Sequence, residues 1–179
     1  MRIIAGAKRG KKIMPKIDDT TRPTTDRVRE NVFNILTNLV DIQGASVLDL
    51  FAGCGAYGLE AHSRGARQIV FNDFDAQAVE VIKKNAKACD CNAQVLNLDY
   101  TDAIEKLDSQ TFDIIFIDPP YNSDFALKAV EYIRQKNLLS VGGVIVVETE
   151  NDLDIESIRE KKYGRARLYF LGQHSQLPK

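Results

Sequence analysis

From Ser46 onward, short apolar runs alternate with stretches of helical periodicity, and this alternation restricts the fold more than any other feature. Apolar runs over Ser46–Phe51, Gln68–Asn72, Gln94–Leu98, Phe112–Ile117 and Val144–Glu148 predict strands, the last preceded by a Gly142-Gly143 turn. Helices are predicted between them over Tyr57–Arg64, Ala76–Ala88, Thr101–Leu107 and Asp124–Gln135. Phe112–Ile117 is the most continuous run, as expected for a strand covered on both faces. Repeated strand–helix units imply a mostly parallel sheet with helices on both sides. Ser157–Gly172 reads as two strands turning at Gly164, with Ala166, Leu168 and Phe170 in alternation, so it can supply an antiparallel C-terminal edge. The expected architecture is α/β and Rossmann-like.

Upstream, Asp26–Val40 repeats Val28, Val32, Ile35, Leu36 and Leu39 at helical spacing, with Arg27, Arg29 and Glu30 largely off that face. Thr25 or Asp26 can cap this helix. The expected division is a basic arm and helix over 1–40 packed on a catalytic unit over 41–179, as one globular body. The 179 residues, 44% of them apolar, suffice for one core. No apolar run reaches the roughly 18 residues of a membrane span, and the start shows no secretory leader. Cys54, Cys89 and Cys91 lack disulfide or zinc spacing, and only His62 and His174 could assist a metal. A reducing cytoplasm, no structural metal and no membrane are therefore expected.

The first strand runs into Asp49-Leu50-Phe51-Ala52-Gly53-Cys54-Gly55-Ala56-Tyr57-Gly58, a G-x-G-x-x-G turn opening a helix. Such glycines let a nucleotide-type cofactor approach the backbone. Asp73 follows Gly53 by 20 positions, at the end of the second strand in Asn72-Asp73-Phe74-Asp75, where a carboxylate can accept from both ribose hydroxyls. Asp75 is a helix cap or a second cofactor contact. To this point a nicotinamide dehydrogenase fits equally well. Asp99, followed by Tyr100, is placed after the third strand to accept from an adenine 6-amino group. Asp118-Pro119-Pro120-Tyr121 then follows the fourth strand, and a dehydrogenase leaves it unexplained.

An exocyclic base amine is a poor nucleophile because its lone pair is delocalised into the ring. Two acceptors on its hydrogens localise that lone pair, and the Asp118 carboxylate and the Pro119 carbonyl can supply them. Proline offers a carbonyl on a backbone of fixed φ. Tyr121 presents a face for an extruded base, with Phe125 as a further apolar wall or a core residue. Methyl transfer from a sulfonium then needs mainly geometry.

Charge is unevenly spread. Residues 1–30 carry nine Lys/Arg against four acids, while the remainder carries 15 basic and 21 acidic residues. Arg2, Lys8, Arg9, Lys11, Lys12 and Lys16 form an acid-free run, with Arg22, Arg27 and Arg29 behind it. A basic arm of this kind suits a polyanion.

Taken together, Met1-Arg2-Ile3-Ile4-Ala5-Gly6 with Arg9-Gly10, the block Thr21–Glu30, the segment Leu48–Ala61 and Phe116–Tyr121 resemble the bacterial 16S rRNA guanine-N2 methyltransferases of the RsmD type. Arg22-Pro23-Thr24-Thr25-Asp26-Arg27-Val28-Arg29-Glu30 is the most particular of these stretches. The resemblance implies the S-adenosylmethionine-dependent methyltransferase fold, that donor, and a guanine 2-amino group in 16S rRNA or a small-subunit assembly intermediate. It implies that Asp118, Pro119, Pro120 and Tyr121 serve the target base. Asp49, Phe51, Ala52, Gly53, Gly55, Gly58, Asp73, Phe74, Asp99 and Tyr100 would line the cofactor site. Cys54 stands where the family more often has serine. The alternatives are an adenine-N6 methyltransferase acting on DNA or RNA, and a noncatalytic RNA-binding assembly module.

Overall fold

The computed structural model describes residues 1–15, 26–120 and 124–173; Lys16, Arg22 and Tyr121 lie outside the described residues. In chain order the elements are α1 (Asp26–Leu36), β1 (Ser46–Asp49), α2 (Ala56–Ser63), β2 (Gln68–Asn72), α3 (Ala76–Ala88) and β3 (Gln94–Leu96). They continue as α4 (Tyr100–Lys106), β4 (Phe112–Ile117), α5 (Phe125–Gln135), β5 (Leu139–Thr149), β6 (Arg159–Tyr163) and β7 (Ala166–Leu171).

The strands form one sheet in the order β3-β2-β1-β4-β5-β7-β6. β1 to β5 run parallel to one another, while β7 is antiparallel to both β5 and β6. The chain leaves β1 toward β2 on one side and returns to β4 on the other. That reversal opens a crevice at the carboxyl ends of β1 and β4, where open α/β sheets bind ligands.

Strand alternation divides the core into two layers. Val47, Phe71, Phe116, Val146, Leu168 and Phe170 face one side, against α1, α2 and α3. Leu48, Ile115, Ile117, Val147 and Tyr169 face the other, against α4 and α5. β4 is the central strand: of its six residues only Asp113 is not fully buried. Asp113 accepts from the Ser46 amide and hydroxyl and from the Ser140 hydroxyl, joining β1, β4 and β5 at their amino ends.

Several boundaries move relative to the sequence pattern. α1 stops at Leu36 rather than Val40, and turns carry the chain on. β5 begins at Leu139 and runs through Gly142-Gly143, with a register shift between Phe112 and Ile114 of β4 absorbing the irregularity. Gly142, with φ of 79°, and Gly143 fall between the Phe112–Leu139 and Ile114–Val144 pairs, so they form the irregularity itself and the regular pairing starts at Val144, where the sequence pattern starts the strand.

α2 is buried on nearly every side, because the sheet covers one face and the N-terminal segment covers the other. Ile3 and Ile13 enter the core shared with α1 and α2. Burial of each contributes about 1.5–3 kcal/mol. The Ile4 and Ala5 amides donate to Glu60 at 2.8 and 3.0 Å, and the Lys8 amide donates to the Ser63 hydroxyl at 2.9 Å. The basic arm is thus docked through its backbone, leaving most of its side chains outward. Among the described residues no helix is long and apolar enough to cross a membrane.

Candidate active site

At the end of β1 the chain turns through Gly53 and Gly55, with φ of 57° and 81°. A side chain would strain both positions, and a Cβ at Gly53 would meet nothing within 4 Å, which marks open space beside the turn. Gly58 serves a different end: a Cβ there would lie 2.3 Å from the Phe71 ring, so its absence lets α2 lie against β2.

Asp73 lies at the mouth of this turn. Its carboxylate accepts from the Gly53 amide at 2.7 Å and from the Asp75 amide at 2.9 Å, fastening the glycine loop to the end of β2. Asp75 caps α3 by accepting from the Gln77 amide at 2.8 Å. Asp99 caps α4, accepting from the Thr101 amide and hydroxyl at 2.9 and 2.7 Å through one carboxylate oxygen. Phe74 is 78% exposed beside Asp73.

Beneath the loop, Asp49 is fully buried and accepts from the Gly58 amide at 3.0 Å. Burial pushes its carboxyl up to about 7, and the Asp73 charge pushes in the same direction. The folded protein therefore binds a proton that the unfolded chain releases between about pH 4 and 7, and stability contributed by protonated Asp49 is lost as pH rises through 7. Asp49→Asn can still accept from Gly58, so its melting temperature should fall less than that of the parent between pH 4.5 and 7.5. Parallel profiles would remove Asp49 as the source of the slope.

Asp118 and Pro119 follow β4 directly, at the crevice edge, with Pro119 buried and Asp118 partly exposed. Glu148 stands beside Asp118, one residue past the Ile117–Val147 pair, so both side chains fall on the layer of Phe116 and Val146. Glu148 is buried and accepts from the Tyr57 hydroxyl at 2.7 Å. Tyr57 stacks on Phe116 with centroids 4.7 Å apart. Burial raises the Tyr57 hydroxyl well above its usual range, helped by the charges of Glu148 and Asp118. On the opposite layer Phe51, Tyr100 and Phe125 form an aromatic row with centroid spacings of 5.5 Å, and Phe125 is 38% exposed.

Three asparagines that the sequence pattern did not single out frame the crevice. Asn72 donates to the Leu50 and Leu98 carbonyls and accepts from the Leu98 amide, tying together the strand ends that carry the loop, Asp73 and Asp99. Asn97 donates to the Asp73 and Phe74 carbonyls, both at 2.9 Å. Asn85 joins the arm to the glycine loop: it exchanges two hydrogen bonds with the Met14 backbone and donates to the Cys54 carbonyl. An amide inside the apolar run of β2 was the only signal of Asn72, and Glu148 resembled a strand terminus.

One proposed RNA contact is corrected. Arg29 is completely buried in α1. It donates to Asp26 at 3.1 Å and to the Arg2 carbonyl, and its Nε lies 3.7 Å from the equally buried Glu60. An extended RNA phosphate cannot reach a guanidinium enclosed in this way. Arg2, Arg9, Lys11, Lys12 and Arg27 are exposed, while Lys8 is half-buried and pairs with Asp90 at 2.7 Å.

The glycine turn, the acid after β2 and the acid-proline step after β4, at the crevice of this sheet, define a protein with the Rossmann-like fold of S-adenosylmethionine-dependent methyltransferases. The same fold occurs in a Thermus thermophilus 16S rRNA N2 methyltransferase solved with AdoMet and guanosine (TM-score 0.68, 23% identity, covering 86% of this chain and 44% of that one). The chain belongs to the family described as conserved hypothetical protein 95, whose model matches residues 1–172 and which is the family of ribosomal RNA small subunit methyltransferase D. The protein of that name from Haemophilus influenzae is 37% identical over 156 residues, 85% of this chain and 80% of the relative. A hypothetical protein from Thermus thermophilus superposes with a TM-score of 0.85 at 27% identity, over 96% of this chain and 99% of that one.

Proposed function

We propose that this protein transfers the methyl group of S-adenosylmethionine to the exocyclic N2 amine of a guanine in small-subunit rRNA. The observation that carries this reading is the Asp118–Pro119 step, set beside the Gly53–Gly55 turn at the reversal of the sheet. The bound donor supplies an electrophilic methyl on a sulfonium. Asp73 accepts from the ribose hydroxyls, Asp99 from the adenine amine, and the open side of Gly53 admits the donor against the backbone. Asp118 and the Pro119 carbonyl accept from the two amine hydrogens and direct the nitrogen lone pair toward the methyl. Tyr121, the exposed Pro120 and Phe125 supply apolar surface for the base, and Tyr100 lines the donor site beside Asp99.

Glu148 supports guanine as the target. Among the exocyclic base amines only that of guanine has a ring N–H next to it; the ring nitrogen beside the adenine or cytosine amine is an acceptor. The guanine amine sits between that N–H and an acceptor nitrogen, so a second carboxylate beside Asp118 complements guanine when its N–H edge is turned toward Glu148. Arg2, Lys8, Arg9, Lys11, Lys12 and Arg27, with Arg22, supply phosphate contacts, and the relatives' name supports rRNA as the polyanion.

Incubation with labelled donor and unmodified 16S rRNA or small subunits, followed by nucleoside analysis, tests the reading. N2-methylguanosine is expected; N6-methyladenosine, or no methylated nucleoside on any of these substrates, overturns it. Within the same reading, Asp73→Ala should weaken S-adenosylhomocysteine binding by about 1.5–3 kcal/mol, the scale of hydrogen bonds to a charged group. Calorimetry with unchanged affinity would take Asp73 out of the donor site.

A further inference from the structure

The C-terminal hairpin carries a cluster of cations that the reading above leaves unused. β6 is the edge strand of the sheet, and its residues Arg159 to Lys162 are exposed. From Arg159 to Arg167 there are five basic residues and one acid. Arg167 is neutralised by Asp152 and Glu160, at 2.8 and 3.1 Å. Arg159, Lys161, Lys162 and Arg165 make no ion pair or side-chain hydrogen bond among the described residues.

Register places these cations relative to the site. Glu148 pairs with Leu168, and Leu168 pairs with Lys161. Asp118, Glu148, Leu168 and Lys161 therefore lie on one row across β4, β5, β7 and β6. Three strand spacings of about 4.8 Å put the backbone of Lys161 about 14 Å from that of Asp118. Leu168 and Phe170 face the layer of Phe116, so Lys161 and Arg159, paired with them, take the same face as Asp118, while Lys162, paired with Arg167, turns to the other. Tyr163, two residues on, packs against that layer as well. The Gly164–Arg165 turn projects past the carboxyl end of β5, because Thr149 pairs with Arg167.

The neighbouring acids lie on the other face. Glu150, Asp152, Asp154 and Glu156 belong to the connection from β5 to β6, which packs through Leu153 and Ile155 into the opposite layer and holds Tyr169 there. The N-terminal arm is fastened over α2 and α3, on the β1–β2 side of Asp118, while the hairpin lies on the β5–β6 side.

We propose that Arg159, Lys161 and Arg165 form a second phosphate-binding surface, so that the arm and the hairpin hold the substrate RNA on both sides of the base delivered to Asp118. The proposal rests on the reading of this protein as an rRNA methyltransferase. An edge strand studded with unpaired lysines is a poor template for another protein strand, and a phosphate backbone is the complementary partner within a few nucleotides of the target.

The test is binding of 16S rRNA by the full chain across a salt series, comparing the parent with Arg159→Ala/Lys161→Ala/Arg165→Ala. Each contact with single-stranded RNA contributes about 0.7 to the slope of log affinity against log salt. Losing three should flatten the slope by about 2 and weaken binding about a hundredfold near 0.1 M salt. S-adenosylhomocysteine affinity and melting temperature should stay unchanged. Lys161→Glu alone should act in the same direction. Arg67→Ala/Lys106→Ala, which removes exposed cations from the amino edge of the sheet, should cost much less per charge. Unchanged affinity and slope in the triple variant, or an equal loss per charge in the control, overturns the hairpin surface alone, provided the parent binds and methylates rRNA. A parent with no salt-dependent RNA binding overturns the functional reading and this proposal together.

Discussion

Asp118→Ala is expected to slow methyl transfer in a single turnover by about 10²–10³-fold, the scale of removing one preorganised polar group from a transition state. The lone pair of the target amine becomes available only as its hydrogens are held, so the interaction strengthens as the nitrogen attacks. Donor affinity should change much less, because the groups assigned to the donor are Asp73, Asp99 and the glycine turn, none of which the substitution touches. A fall in both the single-turnover rate and kcat/KM, with S-adenosylhomocysteine affinity preserved, is the signature of a contact made in the transition state. A rate within a few-fold of the parent would end the assignment of Asp118 to amine activation.

The second large effect is on stability. Glu60→Ala should destabilise the fold by about 3–5 kcal/mol, read from the denaturant midpoint at constant m-value. Glu60 is buried and accepts from the Ile4 and Ala5 amides, and from Arg64 Nε at 2.9 Å. It also faces Arg29, whose guanidinium is equally enclosed. Without the carboxylate, a buried cation keeps, among the described residues, only Asp26, which is about half exposed, as its acidic partner. Two arm amides lose their acceptor at the same time. The N-terminal segment should therefore lose amide protection along with global stability. A midpoint shift equivalent to less than about 1 kcal/mol would mean that Ile3 and Ile13 hold the arm without this network.

Much of the architecture was legible because period and punctuation are local. β2, α3 and β4 begin and end at the residues where the apolar pattern begins and ends. Asp75 caps α3, one of the two roles that its position before the Ala76 helix leaves open. The parallel core with an antiparallel edge follows from alternating units closed by a hairpin. The glycine turn, Asp73 and Asp118 were visible as motifs, since each is a short run tied to a strand end. The structure adds that one crevice collects them.

Three features were decided elsewhere. Arg29 looked like a surface cation, because Asp26, Arg27 and Glu30 around it are polar and helical spacing put it off the apolar face. Its burial depends on Glu60, 31 residues away, and on an arm folded across both. Glu148 and Tyr57 are 91 residues apart, and only sheet register sets the acid beside Asp118. The hairpin cations belong to the site edge solely because β7 runs antiparallel to β5, which carries Lys161 onto the row of Asp118. Periodicity and motifs are properties of neighbouring residues, so the layers, the glycine turn and the strand-end acids can be read along the chain. Which charges are enclosed, paired or left facing a substrate depends on strand order and register, and these join residues far apart in sequence.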